Sequence, residues 1–331
     1  MPYPSHTGDG RTWRVALLHR TSDDAAPAAD RPRLPAKASA PVIAYAPPAA
    51  ALAELVTGHQ VYAAPVGTPR VERLLPGVAN VRIALGAGTV GVQIGRRRFD
   101  PVPDVALTGP TTRAPRATMA GGGVIVAFGI TPLGWARLFD APAADLADRV
   151  RPLDEVAGSE LPLALRRALA GVDPFDAAAA GRAIDEVLLS RLGPPGPDEA
   201  AIRALADALA DPGVRSVVDM AKRTGLEAAS VRRVADRHFG LTPKLALRRA
   251  RFLRAFLLFF RNPDVKGYGA IAPGYHDLPH FLRDADRFLG MTPRRFAMEA
   301  TDLLDASLRA RADALGAPAC VVHPADGGSA A

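Results

Sequence analysis

Cysteine is nearly missing. The only one, Cys320, lies in the last dozen of 331 residues, so neither a disulfide framework nor a cysteine-based zinc site can be built, and a reducing, cytoplasmic setting is expected. Lysine is scarce as well: only Lys37, Lys222, Lys244 and Lys266 contribute to a Lys+Arg total of 41. Aromatic residues make up 6% of the chain and leave no distinctive pocket signature in any one region. No run of 18 apolar residues occurs, and the opening MPYPSHTGDGRTWR has no apolar stretch behind its first basic residue. Secretion and membrane spanning are therefore not expected.

At 48% hydrophobic residues, the chain suits two or three packed units, each large enough to bury a core. The net charge of +7 is unevenly spread. Residues 201–300 carry 18 Lys+Arg against 10 Asp+Glu, a balance of +8, while the remainder carries 23 against 24, or −1. One basic module attached to near-neutral ones is the expected layout.

Residues 1–40 form a flexible segment by composition, with the spacer-like DDAAPAADRPRLPAKASAP following a short TWRVALLHR arm. From 41 to 130, the apolar runs VIAYA, QVYAAPV, VERLL, VRIAL, TVGVQIG, DVALTG and VIVAFGI recur at roughly ten-residue spacing, the signature of a barrel or sandwich of antiparallel strands. At Thr131–Pro132 the period changes to helical. Helices are expected over PLGWARLF, APAADLADRV, LPLALRRALA and DAAAAGRAIDEVLLSRL, before GPPGPDE at 193–199 breaks the chain. The fold class expected is α+β: a β-rich domain with a helical extension over 41–195, then an all-α module over 200–300, and a flexible tail from 303.

Within the module, Ser216 and Asp219 have capping-box spacing, and a first short helix ends at Gly225. A second helix turns Val231, Val234 and Ala235 inward and Arg232, Arg233 and Arg237 outward. Helix, glycine turn and arginine-bearing helix make a helix-turn-helix layout. An internal repeat sharpens it: GLTP at 240–243 returns as GMTP at 290–293. At the same 50-residue offset Val231 matches Phe281, Arg233 matches Arg283 and Arg237 matches Arg287, with Gly225 matching Gly274 after a one-residue shift. Between the two units, PKLALRRARFLRAFLLFFRN reads as a long helix holding both in register.

These residues resemble the AraC family of bacterial transcription regulators, which pairs two helix-turn-helix units through one long helix. The second unit, GYHDLPHFLRDADRFLGMTPRRF, places Gly274, Tyr275, Asp277, His280, Phe281, Arg283, Phe288, Gly290, Thr292, Pro293 and Phe296 on the family pattern. The resemblance covers residues 212–300, with a looser likeness upstream. It implies a transcription factor, more an activator than a repressor, binding two adjacent major-groove segments of double-stranded DNA, with centres about 34 Å apart. By position, Ala229, Arg232 and Arg233 of the first unit and Leu278, Pro279, Leu282 and Arg283 of the second would face bases, with Arg232, Arg233 and Arg283 as direct readers. Arg237, Lys244, Arg248, Arg249, Arg287, Arg294 and Arg295 are expected at phosphates or solvent. A small-molecule effector of unspecified identity, a second copy of the chain and RNA polymerase are the further partners expected. Gly267, Gly269 and Pro273 weaken the first helix of the second unit, so the first unit is expected to supply most of the specificity.

Other motifs read as structure. His280 and His238 suit structural and helix-end roles, Arg96–Arg98 suit a hairpin tip, and Gly121–Gly123 precede a strand without the Lys-Ser/Thr of a phosphate loop. His59 stands without clustered ligands, Asp154 and Glu155 are adjacent and poorly placed as an acid/base pair, and no cofactor or enzymatic constellation is expected. Two alternatives stay open: an enzyme with a catalytic β domain, and an interaction protein that has lost specific DNA binding.

Overall fold

The computed structural model describes residues 42–65, 70–86, 88–261, 274–275 and 277–315. The TWRVALLHR arm and the glycine-rich KGYGAIAP stretch at 266–273 lie outside the described residues, as does Cys320.

The β half comprises β1 (Val42–Ala46), β2 (Val56–Ala64), β3 (Arg70–Arg73), β4 (Ala79–Leu85), β5 (Val90–Ile94), β6 (Arg97–Phe99), β7 (Val105–Thr108), β8 (Pro115–Met119), β9 (Gly123–Ile130) and β10 (Val150–Pro152). Two antiparallel sheets result, one ordered β1-β2-β9-β4-β7-β10 and the other β3-β8-β5-β6. Period-two alternation sorts their side chains. Val81, Ile83, Leu107, Val126 and Phe128 leave the larger sheet toward the helices, whereas Ala106 packs with Val92 and Ile94 of the smaller sheet.

Helices follow as α1 (Pro132–Leu138), α2 (Asp154–Ala157), α3 (Glu160–Leu169), α4 (Ala177–Leu189), α5 (Glu199–Ala210), α6 (Val217–Thr224), α7 (Ala228–Val234), α8 (Pro243–Arg261), α9 (Leu278–Leu289), α10 (Pro293–Glu299) and α11 (Asp302–Leu315). Thr131 caps α1 by accepting the Gly134 N–H, with Pro132 in its first turn. A five-residue π-helical turn, Ala235–Phe239, continues α7. One apolar core runs from Phe128 and Trp135 through Leu165 and Ile184 to Leu205, Met220, Val231 and Leu247. It therefore crosses the GPPGPDE break rather than stopping there. A second cluster gathers Phe252, Phe256, Phe281, Phe288 and Phe296, each fully buried and each contributing on the order of 2–3 kcal/mol in transfer free energy.

Two expected elements differ. APAADLADRV is not a helix: a short 3-10 turn at Ala143–Leu146 is followed by Asp148 at φ 54°, and the chain then joins β7 as β10. Asp148 holds that left-handed conformation while its carboxylate accepts the Thr112 N–H at 2.6 Å. The segment from 303, expected as a flexible tail, is helical to Leu315, because Leu304 and Leu308, one turn apart, pack on the phenylalanine cluster. β6, β8 and β10 escape the sequence reading. They are three to five residues long, and PRATM lacks the Val/Ile content that marks strands.

Candidate nucleic-acid interface

The first helix-turn-helix unit begins with a closed capping box. Ser216 Oγ accepts the Asp219 N–H at 3.0 Å, and the Asp219 carboxylate accepts the Ser216 N–H at 2.9 Å. Gly225 ends α6 at φ 70°, and after the turn α7 buries Val231 and Val234. Ala229, Arg232, Arg233 and Arg237 are exposed on its outer side, with Lys244 exposed at the start of α8. Gly240 closes the unit at φ 68°; a Cβ there would come 2.8 Å from the Ala143 carbonyl and 2.9 Å from Pro110. That glycine is required both by its conformation and by the β domain pressed against it.

From its second helix onward, the second unit repeats the construction. Asp277 caps α9 by accepting the His280 N–H at 2.7 Å, Gly290 closes it at φ 74°, and Thr292 caps α10 ahead of Pro293. Helix α9 buries Phe281, Asp284, Ala285, Phe288 and Leu289. Leu278, Pro279, Arg283 and Arg287 are exposed and Leu282 is half-buried. Phe252 of α8 lies 5.7 Å from Phe281 and 5.3 Å from Phe288, ring centre to ring centre, which fixes α9 on the connecting helix.

The arginines of the module fall into three groups. Arg283 and Arg287 are exposed with no ion-pair partner among the described residues, and Arg232 makes only an exposed 3.6 Å contact with Asp236. Such a surface pair is weak and leaves the guanidinium available. Arg233 is committed: both terminal nitrogens donate to Asp198, each at 2.7 Å. Arg237 donates to the Asp140 carbonyl at 3.3 Å. The third group corrects the expectation that Arg248 and Arg249 face phosphate or solvent. Arg249 is buried at 5% exposure and donates to the carbonyls of Gly77 (3.0 Å) and Thr111 (2.8 Å), burial pushing its guanidinium down to about 10. Arg248 pairs with the fully buried Asp284. Arg251 joins that carboxylate at 3.2 Å and lies over the Tyr275 ring, whose hydroxyl donates to Asp284 at 2.7 Å. Burial raises the Tyr275 phenol and the Asp284 bond adds to it.

His238 stands in the last turn of the π-helical segment, the helix end expected for it. It is buried and its Nε2 lies 3.0 Å from Asp198 Oδ2. Burial lowers the imidazole, while Arg233, ahead of His238, holds the Asp198 carboxyl well below the usual range. His280 sits between Arg251, 3.2 Å away, and the edge of Tyr275. Asp198 and Asp284 were invisible as partners in the sequence. Asp198 is 35 residues from Arg233, but Asp284 left one trace: with Phe281, Ala285 and Phe288 it occupies the inward stripe of α9 at helical spacing.

The β half grips the module directly. Arg73 pairs with Glu299, Glu72 accepts from the Thr301 hydroxyl, and the Phe288 carbonyl accepts the Ala114 N–H at 2.7 Å. Inside the β half, Arg82 lies between Ala106 and Ala127 on neighbouring strands, on the face turned toward the smaller sheet. Its Nε is buried without a hydrogen-bond partner, and burial pushes the guanidinium down to about 10. His59 is buried 2.7 Å from Asp185 of α4, whose other oxygen accepts the Ala49 N–H. No group of three metal-ligating side chains occurs among the described residues, and none of their helices is long and apolar enough to cross a membrane.

The chain matches no protein-family model and no curated protein sequence. Among solved structures it is similar to ToxT from Vibrio cholerae, at 9% identity and a TM-score of 0.42, covering 73% of this chain and 98% of that one. A second similar structure is the AraC-like transcriptional activator CuxR, at 15% identity and a TM-score of 0.27, covering 62% and 78% respectively. At these identities and TM-scores, function has to be read from the chain's own residues.

Proposed function

We propose that this protein is a sequence-specific, DNA-binding transcription regulator of the AraC type. One observation carries the reading: the unit of helix, left-handed glycine and Thr-Pro helix start is built twice at a 50-residue offset, each copy exposing arginines on its second helix. Exposed residues at these positions can enter a major groove, where a guanidinium forks onto guanine O6 and N7. Arg232 and Arg283 read bases. Ala229, Leu278, Pro279 and Leu282 line the same faces, and Arg237, Lys244 and Arg287 meet phosphates. Residues 200–300 are the DNA-binding part, and residues 41–195 sense or pair subunits in a cytoplasmic homodimer that activates transcription with RNA polymerase. A small-molecule effector acting on residues 41–195 belongs to the same reading. Catalysis is not part of this reading: the His59–Asp185 pair is buried, and His59 Nδ1 has no hydrogen-bond partner among the described residues.

The test is selection of bound duplexes from a random pool with the whole protein, at two salt concentrations. The expected result is a site of two elements about one helical turn apart, bound less tightly as salt rises, with roughly one ion released per phosphate contact. No enriched sequence, or salt-independent binding, refutes the proposal.

A further inference from the structure

We infer that Asp198 is a positioning residue that withdraws Arg233 from base reading and makes the two repeated units unequal; this rests on the DNA-binding reading above. Arg233 and Arg283 hold the same place in the 50-residue repeat, on the outer sides of α7 and α9. Their surroundings differ. Arg283 has no ion-pair partner among the described residues, whereas Arg233 is gripped through Nη1 and Nη2 by Asp198, both at 2.7 Å. Those two nitrogens form the end-on pair that can hold guanine O6 and N7. With that end-on pair spent on the carboxylate, only the Nε–Nη2 edge of Arg233 is left for a base, whereas Arg283 keeps both edges.

The grip is also anchored. Asp198 is only 19% exposed, and its Oδ2 is shared with Nε2 of the buried His238. It stands at the start of α5, which packs on α6 and α7 and whose Leu209 carbonyl accepts from Arg254 of the long helix. The carboxylate therefore fastens the recognition helix to α5 at two points, Arg233 on α7 and His238 on the π-turn. The first unit keeps Arg232 as its direct reader. The second keeps Arg283, so the reading arginines of the two units are offset by one residue within the repeat. Each unit is thus left with one direct-reading arginine, where the sequence suggested that the first would supply most of the specificity.

Three variants of the whole protein, carried through the random-pool selection and a salt titration, test the inference. Arg283→Ala should lower affinity roughly tenfold or more and erase a guanine preference in one half-site. Arg233→Ala should change affinity less than about twofold and leave the selected sequence and salt slope as in wild type. Asp198→Asn should free the fork, adding a base preference in the other half-site or steepening the salt slope by about one ion. A merely structural Asp198 would alter melting temperature and affinity but neither preference nor slope. If Asp198→Asn fails to fold, Arg233→Ala against Arg283→Ala decides, with Arg233→Gln replacing Arg233→Ala should that variant unfold. Loss of a half-site preference on Arg233→Ala overturns the inference while leaving the proposed function intact. If the wild type enriches no sequence, both fall.

Discussion

Replacing Asp284 with alanine should dismantle the second helix-turn-helix unit. The carboxylate is fully buried and receives Arg248, Arg251 at 3.2 Å and the Tyr275 hydroxyl at 2.7 Å, so a single side chain binds α8 to α9. Removing it leaves two guanidinium groups and a phenol facing a gap. Breaking a buried ion pair from one side costs about 3–5 kcal/mol, and an orphaned buried hydroxyl about 1–3 kcal/mol more when counted alone. These do not add in full. Arg248 and Arg251 keep 32% and 25% side-chain exposure and can turn partly to water. The expected net loss is about 3 kcal/mol, which corresponds to roughly a hundredfold drop in the protection of α9 amides against hydrogen exchange. Asp284→Asn, which retains an acceptor for Tyr275, should lose less. In the first unit the amides of α6 and α7 should stay near wild type, because their core is the separate cluster around Met220 and Val231. If Asp284→Ala left α9 protection within about fivefold of wild type, the phenylalanine cluster alone would be holding the second unit, and the reasoning would be wrong.

Further tests address the β half and the clamp. Arg82→Met should raise stability, because burial disfavours the Arg82 charge and its Nε is buried without a hydrogen-bond partner; an unchanged or lower melting temperature would contradict the placement of Arg82. Gly181→Ala on α4 should destabilise despite alanine's helix propensity, since its Cβ would meet the His59 ring at 2.8 Å; denaturant unfolding that shows a gain would count against that close approach. Acid should weaken the fold in two stages. The folded His238 titrates below its unfolded counterpart, so the unfolded state takes up the proton first and stability falls as pH drops through about 6.5. Asp198 is held low, so its contribution is lost further down, as pH falls below about 4. In melting curves across this range, His238→Gln should flatten the upper stage and leave the lower one.

Local patterns were readable wherever the physics is local. Capping-box spacing at Ser216, the left-handed glycines at 225, 240 and 290, and the Thr-Pro helix starts at 131, 242 and 292 depend on residues within one turn of each other, and the structure realises them. Alternating Val/Ile runs likewise mark β4, β5 and β9. What escaped were elements whose partners lie far away. β8 is a strand because β3 and β5 flank it, and α11 is a helix because the phenylalanine cluster receives Leu304.

For function the division is the same. By itself, the sequence determined that the positive charge is concentrated in one module, that this module is doubled, and which side chains lie on the outer sides of its two reading helices, since charge count and helical period need no tertiary contact. Only the tertiary structure decided which of those arginines are free. Arg249 vanished into the seam with the β domain, Arg248 and Arg251 were drawn to Asp284, and Arg233 was taken by a carboxylate 35 residues away. Availability of a guanidinium depends on the nearest carboxylate or carbonyl in space, and no spacing along the chain reports that distance.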